Sequence, residues 1–232
     1  MRYPILYKKL SDSQRILLAE NSSFYLQLAS KSKKLFEHRI ARFIEEHYFI
    51  EKAEMEVDEK VKVCIANTAI KLSFGYDNYL YDLFDTIIVY PEDYFSVITN
   101  ARHQGETNPK LGVIVFSWDD FKAGVAVEDD NLQLGLHEFT HALYFSFKYH
   151  KTNEAHRFLR RFDKILKYME ETSVQKDLID SNYIRNYAFT NQYEFLAVLV
   201  EHYFETPKEF LKAHPIVFKM LEKLLQFDKK FS

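Results

Sequence analysis

Apolar residues in the first third of the chain recur every three or four positions, with polar residues between them, as on one face of a helix. This spacing predicts two amphipathic helices, over residues 11–30 and 34–48. A third helix is expected to follow Asp58, whose carboxylate can cap its first turn, and to end at Gly75 in the left-handed conformation that glycine favours. The pattern therefore predicts a helical N-terminal part that covers about residues 1–75.

Two short runs in the middle of the chain have the composition of strands. TIIVY at Thr86–Tyr90 and LGVIVFS at Leu111–Ser117 are rich in β-branched residues, and turn residues such as Pro91 bound them. These runs predict a small sheet within about residues 85–117.

Helical spacing returns after the sheet and continues to the end of the chain. It predicts helices over residues 131–149, 153–171 and 191–205. A further helix should start at Thr206, because Thr206 and Glu209 have the spacing of a capping box and Pro207 suits the first helical position. No internal repeat or linker-like stretch interrupts the pattern, so we expect residues 1–232 to form a single helix-rich α+β domain.

Composition and charge exclude several classes of protein. The chain is 47% apolar and 28% charged, with only five Gly and five Pro, which excludes collagen-like and disordered chains. Thirty-one basic and 34 acidic side chains give a net charge of −3 without a dense basic run, so nucleic-acid binding is not expected. Apolar runs such as Phe195–Val200 are too short to span a membrane. The single cysteine, Cys64, and the absence of a cleavable leader favour a cytoplasmic location.

The predicted helix over residues 131–149 contains an HExxH motif, His137-Glu138-Phe139-Thr140-His141. Imidazoles at positions i and i+4 stand one turn apart on one helix face, so both can reach one zinc ion while Glu138 faces the metal-bound water. Apolar residues flank the motif on both sides, and ionisable groups in such surroundings need a partner. The alternative is a pair of hydrogen-bonded core histidines with Glu138 in a salt bridge.

A catalytic zinc site usually needs a third protein ligand. An HExxHxxGxxH arrangement is excluded, because Tyr144 and Phe147 occupy the Gly and His positions. The downstream helix carries an acidic stripe at spacings of seven and four, formed by Glu194, Glu201 and Glu205. Glu194 has an alternative role, since it could close a capping box with Asn191. Weaker ligand candidates are His150, His156 and His202.

Three motifs together resemble one family of enzymes. Val113–Asp120 (VIVFSWDD), Leu136–His141 (LHEFTH) and Tyr187–Val198 (YAFTNQYEFLAV) are similar, in this order, to the Mlc titration factor A family of zinc peptidases. Weaker similarity extends over about residues 57–210. The resemblance implies a zincin-like (gluzincin) fold similar to the catalytic domain of anthrax lethal factor.

The resemblance also implies roles for individual residues. Zn²⁺ would be held by His137, His141 and Glu194, and Glu138 would be the general base that acts on the zinc-bound water. Tyr187, seven residues before Glu194, would face the metal and donate to the developing oxyanion. No further cofactor is implied.

The family suggests an activity and an alternative to it. The activity is hydrolysis of short peptides with an aminopeptidase-like preference, and LGVIVFS is expected to be the edge strand beside the substrate groove. The alternative is a regulatory binding protein that sequesters a transcriptional repressor and has a slow or vestigial zinc site. A closed, purely structural zinc site is a third option.

Overall fold

The computed structural model describes residues 7–96, 100–127, 129–171, 174 and 183–227, which form a helix-rich α+β fold. The first six residues of the predicted helical part lie outside this range. The α-helices are α1 (Asp12–Asn21), α2 (Ser23–Gln27), α3 (Ser30–Glu46), α4 (Glu59–Ser73), α5 (Trp118–Ala126), α6 (Leu134–Tyr149), α7 (Asn153–Met169), α8 (Gln192–Glu205), α9 (Pro207–Ala213) and α10 (Pro215–Leu225). The strands are β1 (Tyr48–Glu51), β2 (Thr86–Tyr90), β3 (Tyr94–Ser96), β4 (Ala101–His103), β5 (Gly105–Asn108) and β6 (Val113–Ser117). Among the described residues, no helix combines the length and apolarity needed to cross a membrane.

Four strands form a mixed sheet in the order β1-β2-β6-β5. β1, β2 and β6 run parallel, whereas β5 is antiparallel to β6 and pairs Gly105 with Phe116 and Asn108 with Val113. β3 and β4 form a separate antiparallel pair. β1 lies inside the part of the chain predicted to be helical, because α3 already ends at Glu46 and a short β-prone run follows it.

The prediction that LGVIVFS forms an edge strand is wrong. β6 lies between β2 and β5 and is paired on both sides. Its residues Ile114, Val115 and Phe116 are all buried, which is typical of a strand covered on both faces. The edge position belongs to β5, whose polar sequence GETN lacks the composition of a strand.

The start of α4 agrees with the prediction, but its end does not. Asp58 Oδ1 accepts a hydrogen bond of 2.8 Å from the backbone N–H of Val61, as a helix cap does. Gly75, however, does not have a positive φ angle. It is required for another reason: a Cβ there would overlap the backbone carbonyl oxygen of Leu225, so glycine permits the end of α10 to pack against this turn.

The turn before α6 is held by the end of α8. Asn131 adopts the left-handed conformation with φ of 58°, so α6 begins at Leu134 and not at residue 131. The Thr206 hydroxyl donates to Asn131 Oδ1 at 2.7 Å and caps no helix, which corrects the predicted capping box. Pro207 does occupy the first turn of α9.

α6 is the central helix of the fold. It contacts α4, α5, α7, α8, β5 and β6. Phe139, within the HExxH motif, is fully buried, and its ring centroid lies 5.4 Å from that of Phe116 in β6 and 5.3 Å from that of Tyr81. This aromatic contact fixes the back of the helix against the sheet, so the histidines on either side of Phe139 face the opposite way.

Candidate metal centre

His137 and His141 project from the same face of α6. Their ring centroids are 4.7 Å apart, and each side chain is only 11% exposed. The one-turn spacing of the motif produces this arrangement directly. Two largely buried imidazoles therefore face one point from a helix whose other side is anchored in the core.

Glu194 reaches the same point from the first turn of α8. Asn191 caps this helix, since its Oδ1 accepts from the backbone N–H groups of Tyr193 and Glu194 at 2.9 and 3.0 Å. The Glu194 carboxylate turns away from the cap: Oε2 lies 2.8 Å from His137 Nε2 and Oε1 lies 3.5 Å from His141 Nε2. The cap thus involves the backbone of Glu194 and leaves its side chain facing the histidines.

The ligand atoms of His137, His141 and Glu194 all lie within 4.8 Å of one another. Two imidazole nitrogens and one carboxylate oxygen are a donor set that zinc accepts in catalytic sites. The other acids of the stripe are elsewhere, with Glu201 on the far nitrogen of His137 and Glu205 beside Gln133. The cluster is therefore chemically suited to one divalent metal ion.

Ionisation in the cluster follows from its contacts. Burial opposes charge on both partners, but the hydrogen bonds between the histidines and Glu194 outweigh it and hold the pKa of Glu194 well below its usual value. For His137, burial would lower the pKa, yet hydrogen bonds to Glu194 and Glu201 raise it to about 10. The carboxylate is thus ionised and available to a cation.

Glu138 is buried beside the cluster and is held by β5. Its Oε2 accepts a hydrogen bond of 2.8 Å from the Thr107 hydroxyl, which also lies 3.0 Å from the backbone carbonyl oxygen of Glu138. A Cβ at Gly105 would lie 2.9 Å from Glu138 Cγ and Oε1, so glycine allows the strand to approach this closely. The carboxylate is therefore fixed between α6 and the edge strand.

Tyr187 lies in a 3-10 helix, Asn186–Thr190, opposite the histidines. Its ring centroid is 6.1 Å from that of His137, and the residue is 51% exposed. Partial burial, together with the charge of Glu194 and a hydrogen bond to it, raises the pKa of Tyr187 to about 12. The phenol consequently keeps its proton at neutral pH and can act as a donor.

A cleft of about 540 Å³ lies beside the cluster. Its lining includes His137, Glu138 and Tyr187, as well as Gly105 of β5. Other lining residues are Asp120, Asp130, Leu132 and Arg185. A space of this size, open to solvent, admits a small ligand or a segment of peptide.

Sequence reasoning missed two contacts of the site. Thr107 gave no signal, because a lone threonine in a polar stretch has no pattern to distinguish it. Glu201 was considered only as a possible metal ligand, although its spacing of two helical turns from Glu194 places both on one face of α8. That spacing could have suggested a contact between Glu201 and the second nitrogen of His137.

A helix-rich α+β fold with a His–His–Glu cluster beside an open cleft is the arrangement of a metallopeptidase. A family model described as glucose-regulated metallo-peptidase M90 matches residues 2–226, and the chain therefore belongs to this family. This confirms the resemblance to the Mlc titration factor A family. The chain is also similar to an uncharacterized protein from Synechocystis sp. The two are 25% identical over an alignment of 242 positions, which covers 94% of this chain and 85% of that protein.

Proposed function

We propose that this metallopeptidase is zinc-dependent and hydrolyses short peptides with an aminopeptidase-like preference. The observation that carries the proposal is the convergence of His137, His141 and Glu194 at one point beside Glu138 and Tyr187. Residues of three separate elements supply these side chains, and the family to which the chain belongs consists of metallopeptidases.

The side chains around the cluster have distinct roles in this proposal. His137, His141 and Glu194 hold the zinc, which when bound supplies a water of lowered pKa and polarises the peptide carbonyl. Glu138 takes a proton from the attacking water and passes it to the departing amine. Tyr187, protonated at neutral pH, donates a hydrogen bond to the carbonyl oxygen as negative charge develops there.

The cleft supports short peptides as substrates. β5 borders it and, within the described part of the chain, pairs only with β6, so an extended peptide could add to its other edge. Asp120 and Asp130 line the same cleft and suit the ammonium group at the start of a peptide. The aminopeptidase-like preference itself comes from the family resemblance, and these two acids are compatible with it.

The test is the substitution Glu138→Gln, which keeps the size of the side chain and removes the base. We expect zinc content and thermal stability close to those of the parent, and peptide hydrolysis slower by about 100-fold or more, the usual contribution of general acid–base assistance. Exposed Glu56 provides the matched control, because Glu56→Gln should change neither property. Loss of zinc from Glu138→Gln would make Glu138 a ligand, and full activity would remove its role as base.

A second candidate function is sequestration of a transcriptional repressor. The specific observation is the outer strand β1, where Tyr48 and Ile50 are 70% and 39% exposed and could contact a protein partner. Repressor binding should survive Glu138→Gln and be weakened by Tyr48→Ser. Peptide hydrolysis should be lost in Glu138→Gln and retained in Tyr48→Ser. A repressor pull-down and a peptide assay on the same two variants separate the functions.

A further inference from the structure

Glu201 is a buried carboxylate that the proposed reaction does not use. It is only 1% exposed and lies in α8 directly after the buried apolar segment Phe195–Val200. Removing a carboxylate from water is costly unless charged or hydrogen-bonding partners compensate for the loss. Its position therefore calls for partners, and the structure supplies one for each oxygen.

The two oxygens of Glu201 connect the metal cluster to the partly buried Arg185. Oε1 lies 3.2 Å from His137 Nδ1, and Oε2 accepts a hydrogen bond of 2.6 Å from Arg185 Nη2. The other guanidinium nitrogen, Nη1, donates to the backbone carbonyl of Asn131 at 3.0 Å. Arg185 thus links Glu201 to the turn that precedes α6.

We propose that Glu201, fixed by Arg185, is a positioning residue for the metal ligand His137. A carboxylate can only accept, so Glu201 keeps a proton on Nδ1, and Nε2 is the nitrogen that would bind the metal, releasing the proton that it shares with Glu194 at 2.8 Å. Carboxylates in this position orient the ligand ring and strengthen it as a donor. The inference rests on the proposed metal site. It adds that tight metal binding also requires Glu201, which is not itself a ligand.

The charges agree with this role. Glu201 and Arg185 neutralise each other, so the pair adds no net charge behind the cluster. Glu194 and Glu138 remain to balance a divalent ion. The Arg185 guanidinium also lies 5.7 Å from the ring centroid of Tyr187. Arg185 is therefore close both to Glu201, which supports His137, and to Tyr187, the proposed oxyanion donor.

The chain offers a matched control on the same helix. Glu205 lies one turn after Glu201 and is also partly buried, but its contact is with Gln133 Nε2 at 3.4 Å. Glu201→Gln and Glu205→Gln are therefore the same chemical change on the same helix, and only the first alters the partner of His137.

The experiment measures zinc affinity of the full chain by competition with a chelator, after metal removal. We expect Glu201→Gln to weaken zinc binding by roughly 10- to 100-fold, the usual effect of removing such a partner, and Glu205→Gln to leave it within about threefold. Cobalt substitution gives a second readout: the visible spectrum of bound Co²⁺ should shift in Glu201→Gln and not in Glu205→Gln. Equal zinc affinity and unchanged cobalt spectra in two folded variants would overturn the proposal.

Two further variants keep the result decisive. If Glu201→Gln fails to fold, Arg185→Gln replaces it, and this variant must weaken zinc binding for the proposal to stand. Glu194→Ala reports on the metal site itself, so unchanged zinc affinity there would refute the proposed ligand set. A loss in Glu194→Ala without a loss in Glu201→Gln would refute only the positioning role.

Discussion

At the scale of single residues, each ionisable group of the site has a neighbour that fixes its direction. Thr107 holds Glu138, the Asn191 cap places Glu194, and Arg185 holds Glu201. Tyr187 differs from them because it is half exposed and faces the cleft. Such a side chain is suited to contact a substrate more than to support the fold.

Tyr187→Phe should therefore affect turnover and leave the fold intact. The ring remains, but the hydroxyl that we propose as donor to the oxyanion is lost, and one such donor contributes about 100-fold or more to the rate. We expect kcat to fall by this factor while zinc content stays unchanged, as measured by steady-state kinetics and metal analysis. Tyr149→Phe is the control, since Tyr149 is 61% exposed and lies outside the cleft lining. Unchanged kcat in Tyr187→Phe would return Tyr187 to a packing role.

At the scale of secondary structure, the edge strand β5 does more than complete the sheet. It contributes Thr107 to Glu138 and approaches α6 closely through Gly105. If β5 binds substrate at its edge as proposed, the same strand positions both the substrate and the proposed base, Glu138.

Thr107→Val tests the contact between Thr107 and Glu138, because it keeps the shape of the side chain and removes the hydroxyl. Hydrogen bonds to charged groups contribute about 1.5–3 kcal/mol, so we expect kcat to fall roughly tenfold or more, with KM and zinc content little changed. Thr107→Ser should restore most of the rate, since it returns the donor. A Thr107→Val variant with the kcat of the parent would contradict the role of the hydroxyl.

The comparison of sequence and structure shows which elements a pattern can predict. Asp58 before an apolar-periodic run marked the start of α4 correctly, because a helix cap is a local interaction. The predicted reason for Gly75, a left-handed conformation, was wrong. Glycine is needed there because the backbone of Leu225, far away in the chain, packs against it. β5 was missed and β6 was placed at the edge because strand order depends on pairing partners, which composition does not encode.

The same limit applies to the site. The HExxH spacing predicted the two histidines on one face of α6, since both lie on one helix. The choice of Glu194 over Glu201 came from the family resemblance, because periodicity alone gave both acids the same face. Contacts between α8 and α6 decide between them, and these depend on the packing of the whole chain.

At the scale of the whole molecule, the partly buried Glu205 makes stability depend on pH. Burial, and then the nearby charges of Glu201 and Asp130, raise the pKa of Glu205 from 4.5 to about 8. The folded protein therefore holds this proton in a pH range where the unfolded chain has released it. The contribution of Glu205 is most favourable below pH 4.5 and is lost as the pH rises to about 8.

Glu205→Gln should remove this dependence, because the amide does not titrate. We expect the free energy of unfolding of the parent, relative to that of Glu205→Gln, to fall between pH 4.5 and about 8 and to level off above it. Denaturant unfolding of both metal-free proteins at several pH values measures the difference. A difference that stays constant over this range would show that Glu205 has an ordinary pKa.

The central claim is that His137, His141 and Glu194 hold one zinc ion that peptide hydrolysis requires. Its most direct test is a zinc titration of the metal-free chain, followed by native mass spectrometry and a peptide assay, for the parent, Glu194→Ala and the exposed control Glu209→Ala. We predict that the parent and Glu209→Ala bind one zinc per chain and regain hydrolysis together, while Glu194→Ala does neither at the same zinc concentration. Full zinc occupancy and activity in Glu194→Ala would contradict the account.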